Sequence, residues 1–223
     1  MGRRIVRTRR HGKHLFLGLD NRAWLTVHFG MTGALVPFYG SEDEPDFDRL
    51  RIDFFDGSRL ALVSRRLFTK VTITENPDGF IEAQNLGPDA LDPALDETAF
   101  LELMRSRRGG VKSALMDQHL LAGIGNEYSD EILFQARLDP TRQVQQLERS
   151  ELRSLFKAVR RVLNEAIACG AGSDGGTQRL PVSFLLRNRK AGAPCPRCGA
   201  PIMMRKVSGR TVHYCPRCQA PKQ

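Results

Sequence analysis

Four cysteines near the C-terminus, Cys195, Cys198, Cys215 and Cys218, form two Cys-x-x-Cys pairs with residues 199–214 between them. Each such turn can deliver two thiolates to one ion, and zinc takes four soft ligands in a tetrahedron. The flanking segments nearly repeat, "CPRCGAP" and "CPRCQAP", and "RTVHY" between them reads as a short strand. The pattern is that of two hairpin knuckles on one zinc. Two disulfides or buried free thiols would account less well for the doubled motif. Four cysteines close the coordination shell, which favours a structural over a catalytic ion. Cys169 stands outside the pattern and reads as a buried apolar residue.

Charge gathers around this ribbon. Residues 187–223 hold nine Lys and Arg and no acid, and residues 1–13 hold six more, again with no acid. The 173 residues between them carry 19 basic and 25 acidic side chains, so the net charge of +9 sits at the two ends. Two basic runs that frame a metal module read as a phosphate-binding surface rather than a merely solvated face.

A chain of 223 residues suits two small domains, and 41% hydrophobic content can give each a core. No apolar run approaches the roughly 20 residues that span a bilayer, and the basic N-terminus lacks the apolar core of a signal peptide. Zinc-holding thiols also fit a reducing compartment, so the expected location is cytoplasmic and nucleoid-associated.

The segments "HLFLGL", "AWLTVHFG", "LRIDFF", "RLALVS" and "KVTIT" read as strands of an antiparallel sandwich or half-barrel over residues 1–75. Residues 76–96, rich in Pro and Gly, read as a linker. Helical spacing follows over 97–107, 126–136 and 148–168, where Leu152, Leu155, Phe156, Val159, Val162, Leu163 and Ile167 make one apolar face. "GAGSDGG" ends the last helix, so 97–186 forms a helical domain and 187–223 the zinc module. The fold class is α+β and multidomain.

"LLAGIGNEYSDEILF" is the other informative segment. Gly123 and Gly125 permit a tight turn into a helix opened by Asn126, and a helix start presents backbone donors to a phosphate. Lys112, on the preceding turn, could hold the next phosphate. Alone, the segment suits an ordinary helix cap equally well.

Together with the ribbon, these motifs resemble the formamidopyrimidine-DNA glycosylase and endonuclease VIII family of base-excision repair enzymes. "LMDQHLLAGIGNEYSDEILFQARLDP" is similar to its helix-two-turn-helix motif and "GRTVHYCPRC" to the closing half of its zinc finger. "RRHGKHLFL", "HFGMTG" and "RRLF" resemble its N-terminal sandwich. The resemblance runs from about Gly2 to Cys218, and it implies one structural zinc and a monomer on double-stranded, damaged or abasic DNA. It implies catalytic-site roles for Lys13, beside the lesion phosphate and in strand cleavage, and for Arg210, on the flanking phosphates. Lys112 and Asn126 would grip phosphates. Met31, Arg66 and Phe68 would enter the duplex, Met and Arg filling the hole left by an everted nucleotide and Phe wedging the stack. Without the resemblance, Met31 and Phe68 would read as core.

Three departures accompany the resemblance. The family's chemistry starts from an N-terminal Pro-Glu, whose secondary amine attacks the sugar C1′ and whose carboxylate handles protons. This chain opens "MGRRIVRTRRHGKH" and has no proline before Pro37 and no glutamate before Glu42. The segment from the last helix to the ribbon is short, and "PDFDRLRIDF" lacks a histidine that some members carry. The leading expectation is damaged-DNA binding with glycosylase chemistry lost. An alternative is an active glycosylase and abasic-site lyase whose N-terminus lies outside the recorded sequence. A remote third is a zinc-ribbon RNA-binding protein.

Overall fold

The computed structural model describes residues 2–40, 44–171 and 176–220. The chain divides into two compact units, Met1–Gln84 and Asn85–Gln223.

Unit 1 is built from seven strands: β1 (Ile5–His11), β2 (His14–Leu19), β3 (Trp24–His28), β4 (Ala34–Tyr39), β5 (Asp48–Asp53), β6 (Ser58–Val63) and β7 (Lys70–Thr74). They form two antiparallel sheets, ordered β1-β2-β3-β7 and β4-β6-β5. β2 is buried on both faces, so it reads as a continuous apolar run rather than an alternating one. Leu17 and, opposite it, Leu25 line a cavity of about 560 Å³ shared with Ile52 of the other sheet. Phe16 and His14 meet the ring of Phe80 edge-on at 5.6 and 5.3 Å. β4 contains Pro37, which cannot donate to a ladder, and lies at a sheet edge where no donor is missed.

Phe80 belongs to α1 (Pro77–Ala83), which occupies part of the expected linker at 76–96. The Asn76 side chain accepts from the Asp78 N–H, and Pro77 takes the first turn, where its missing donor costs nothing. The Pro-Gly content that suggested a linker is helix-start chemistry. The remainder of 76–96 packs within unit 2, where Ala90 and Leu95 join the core.

Unit 2 contains α2 (Glu97–Arg105), α3 (Val111–Met116), α4 (Asn126–Gln135), α5 (Arg149–Ala168) and the hairpin β8 (Met203–Val207) and β9 (Arg210–Tyr214). Phe100, Leu101 and Met104 of α2 pack with Ile132 and Leu133 of α4 against Leu152, Leu155, Val159 and Val162 of α5. Asp96 caps α2 by accepting from the Ala99 N–H, and Glu148 with Glu151 forms a capping box on α5. The chain leaves α5 through Gly170 at φ +61°, with Ala171 N–H donating to the Ala166 carbonyl and Gly170 N–H to that of Ile167. This closes the last orphan carbonyls. The rest of "GAGSDGG", residues 172–175, lies outside the described residues. Cys169, expected inside the core, is the C-cap of α5 and only half-buried, because the apolar stripe of the helix does not include it.

His14 sits 5.0 Å from His28, ring centre to ring centre. Burial, then the charges of His28, His11, Lys70 and Lys13, push its pKa down to about 4. The unfolded chain takes up this proton near pH 6.5 and the folded one does not, so unit 1 loses stability as pH falls from about 6.5 toward 4. Trp24, the only tryptophan and buried in unit 1, reports its unfolding. The urea midpoint read from Trp24 fluorescence should fall between pH 7 and pH 5, and His14→Phe should reduce that fall; an undiminished fall would assign the effect to other groups.

Candidate nucleic-acid interface and metal centre

The Sγ atoms of Cys195, Cys198, Cys215 and Cys218 lie within 4.8 Å of one another. Cys195 and Cys218 are 3.9 Å apart and Cys198 and Cys215 3.5 Å, near the roughly 3.8 Å edge of a tetrahedron with 2.3 Å Zn–S bonds. Backbone N–H groups of Arg197 and Cys218 donate to the sulfurs of Cys195 and Cys215. Burial and crowding by neighbouring thiols push Cys218 up to about 12, while a backbone donor from Ala200 draws Cys198 down to about 7. The residues fit one structural zinc.

The hairpin is fastened to α4. Its small core joins Phe134 and Leu185 to Ile202, Cys195 and Cys215. Arg197 stacks 4.3 Å over the Phe134 ring and donates to the Phe134 carbonyl at 3.1 Å. Arg205 donates to Asp139 at 2.7 Å, and Gln219 bridges the Cys215 N–H to the Leu138 carbonyl. Ser208 and Gly209, both at positive φ, make the tight two-residue turn that delivers exposed Arg210 at the start of β9.

Asn126 is the first residue of α4, and Gly125 before it supplies no side-chain cap. Gly123 turns the chain at φ +117°, and its N–H is held by Gln118, whose amide donates to the Met116 and Ile124 carbonyls. The Asn126 Oδ1 is buried with no hydrogen-bond partner among the described residues. Lys112 does not sit as expected. It is buried, and its ammonium donates to the Asn126 carbonyl (3.1 Å), Ser129 Oγ (2.9 Å) and Asp130 Oδ1 (2.5 Å). With all three protons committed, this lysine braces the start of α4 instead of offering a donor to a phosphate. A cleft of about 230 Å³ is lined by Lys112 itself with Arg107, Ser113, Asp117, Ser208 and Arg210, Arg107 being paired with Asp117 at 2.8 Å.

In unit 1, Lys13 sits in the turn between β1 and β2, close enough to lower the pKa of His28 after burial has done so. Met31 is exposed, and its Sδ lies 4.0 Å from Nη1 of exposed Arg66. Gly30, at φ +64°, runs so close to Phe68 that an added Cβ would stand 2.7 Å from the Phe68 backbone. The loops 29–33 and 64–69 are thereby clamped together, with Phe68 58% and Leu67 67% exposed. Met31, Arg66 and Phe68 therefore share one protruding cluster and are not core.

Sequence reasoning missed Asp130, Glu131 and Arg189, all of which act inside unit 2. Asp130 and Glu131 look like solvent-facing acids of an amphipathic helix but are fully buried. Burial pushes Glu131 up to about 7, against donors from Gln135 and the Leu186 N–H. No spacing signal in the sequence marks them.

These features define a zinc-finger protein with a glycine turn into α4, a cleft carrying Arg107 and Arg210, and an exposed apolar-basic cluster on a β-sheet unit. Three family models match it: the formamidopyrimidine-DNA glycosylase N-terminal domain over residues 1–71, its H2TH domain over 86–177, and the zinc finger found in FPG and IleRS over 192–221. The chain belongs to the formamidopyrimidine-DNA glycosylase family. It is 36% identical to the formamidopyrimidine-DNA glycosylase of Thermomicrobium roseum, over 97% of this chain and 82% of that one, and 36% identical to that of Thermus thermophilus, over 98% and 83%. Among solved structures, the Lactococcus lactis glycosylase bound non-covalently to DNA containing an AP site matches with a TM-score of 0.86 at 28% identity, covering 99% of this chain and 83% of that one. The Thermus thermophilus MutM (Fpg) protein matches with a TM-score of 0.82 at 32% identity, covering 100% and 85%.

The hairpin has too small a core to hold itself, so metal and fold should be lost together. Metal analysis after gel filtration should give one zinc per chain, and none in a Cys198→Ala/Cys215→Ala double variant. Zinc retained by that variant would refute the site.

Proposed function

We propose that this chain binds double-stranded DNA at damaged or abasic positions. The observation that carries the reading is the Met31–Arg66–Phe68 cluster, an adaptable apolar side chain, a cation and an aromatic ring held outside the core by two clamped loops. Such a set can enter a base stack, fill the gap and hydrogen-bond an orphaned base. Lys13, Asn126 and Arg210 supply phosphate contacts, and Lys112 supports Asn126 from below. The Lactococcus lactis relative, crystallised with abasic-site DNA and with Fapy-dG DNA, supports the same class of partner. Zinc, when bound, holds the hairpin that carries Arg210 and takes no part in bond-breaking.

In one form of this reading the chain recognises lesions without cutting them. A second reading is an active glycosylase and abasic-site lyase. Its support is the 560 Å³ cavity between the sheets, which opens beside Gly2, Arg3 and Ile5 and could take further apolar chain. Borohydride trapping on abasic-site DNA separates the two. The 223-residue chain should form no adduct, and a version extended by upstream coding sequence should form one if the second reading holds. Stoichiometric trapping by the 223-residue chain, abolished by Lys13→Ala, would overturn the binding-only reading.

Abasic duplexes should bind more tightly than intact ones, because unstacking costs less where a base is already gone. Replacing Met31, Arg66 and Phe68 with Ala together should erase that preference and leave affinity for intact duplex unchanged; equal loss on both would make the cluster structural. Arg210→Ala should weaken both duplexes and shallow the slope of log K against log salt by about 0.9.

A further inference from the structure

The side chain of Asp130 is entirely shut off from water, yet it touches three separate pieces of unit 2. One oxygen accepts from Lys112 of α3 at 2.5 Å. The other accepts from Arg189 Nε at 3.0 Å and from the His213 backbone N–H of β9 at 3.2 Å. Lys112 in turn holds the Asn126 carbonyl at the mouth of α4, and Arg189 reaches Glu127 at 3.6 Å. β9 begins at Arg210, three residues before His213. A single carboxylate thus joins the helix start, the segment leading into the zinc hairpin and the strand that presents the exposed arginine.

We propose that Asp130 is the positioning residue that sets Arg210 against the α3 wall of the 230 Å³ cleft, at Lys112 and Ser113, so that the two sides act as one anion-binding site. The proposal rests on the DNA-binding reading above. A buried carboxylate bonded on both oxygens fixes directions as well as distances, because each donor must meet its own lone pair. The packing of Phe134, Leu185 and Ile202 fastens the hairpin at its zinc end. Arg205 ties β8 to Asp139, and Asp130 ties β9, the strand that carries Arg210, so a loosened β9 would carry Arg210 away from the cleft. Asp130 cannot touch DNA, so its influence on binding must pass through the groups it holds.

Simple charge counting and positioning predict opposite signs for Asp130→Asn. Removing an acid from a DNA-binding protein should tighten binding or leave it alone. If Asp130 positions Arg210, the same change should weaken it. Fluorescence anisotropy with a labelled abasic duplex across a salt series, on the zinc-loaded full chain, reads both. Asp130→Asn should keep one zinc per chain, lower affinity roughly tenfold, the size of one lost charge-assisted contact, and shallow the salt slope by about 0.9. Combined with Arg210→Ala it should cost nothing further, because the contact is already gone. If Asp130→Asn strands the Lys112 charge and fails to fold, Lys112→Met/Asp130→Asn removes both charges and carries the same measurement. Unchanged or tighter binding by a zinc-loaded variant would overturn the proposal, as would losses that add to those of Arg210→Ala. Loss of zinc and fold in both variants would make Asp130 purely structural and overturn it too. No duplex binding by the unmodified chain would instead sink the DNA-binding reading itself.

Discussion

Helix α4 has no face turned to water between Ser129 and Phe134, and much of unit 2 follows from that confinement. The apolar members, Ile132 and Leu133, define the core with α2 and α5, and Phe134 becomes the floor on which the zinc hairpin is laid. The polar members impose a stricter demand. A buried carboxylate without partners costs more than a small domain can spare, and removing one partner of a buried pair typically costs about 3–5 kcal/mol. Ser129, Asp130 and Glu131 therefore dictate which segments must arrive: α3 with Lys112, the turn at 185–189 with its Leu186 N–H and Arg189, and β9 with the His213 N–H. The burial of Lys112 opposes its charge and Asp130 supports it, the mutual dependence expected of such a pair.

The metal plays a similar part at the far end of the hairpin. Three apolar groups beyond two of the cysteines cannot fold a segment of this length alone. Thiolate–zinc bonds stand in for a core, and Arg197, Arg205 and Gln219 convert that local order into a fixed attachment.

Much of this was legible in the sequence where one strong local rule applied. The cysteine spacing named the metal site, helical periodicity gave α2, α4 and α5 to within a residue or two, and five of the seven strands in unit 1 followed from apolar runs. β1 was not among them because "IVRTRRH" is an exposed edge strand filled with arginine, and β4 was not because Pro37 breaks its pattern. Lys13, Met31, Arg66, Phe68 and Arg210 were legible only through resemblance: nothing about Met31 or Phe68 in isolation says that each is held outside the core. The buried acids of α4 were illegible in principle. Their burial depends on segments up to 83 residues away in the chain, and no local pattern distinguishes a solvated Asp from one that meets a strand at that distance.

The arginines of β1 have a colloidal consequence. Among the described residues β1 is the outer strand of the four-stranded sheet, and a strand edge is a template on which a second chain can add. Arg7, Arg9 and Arg10 leave that edge densely cationic, with Arg7 stacked 4.4 Å over Trp24 and Arg9 paired with Asp78 at the protein's own surface. Two copies approaching edge to edge meet like charge before any backbone bond can form. A polyanion is spared this repulsion, so the same side chains discourage self-association while leaving the edge approachable by phosphate.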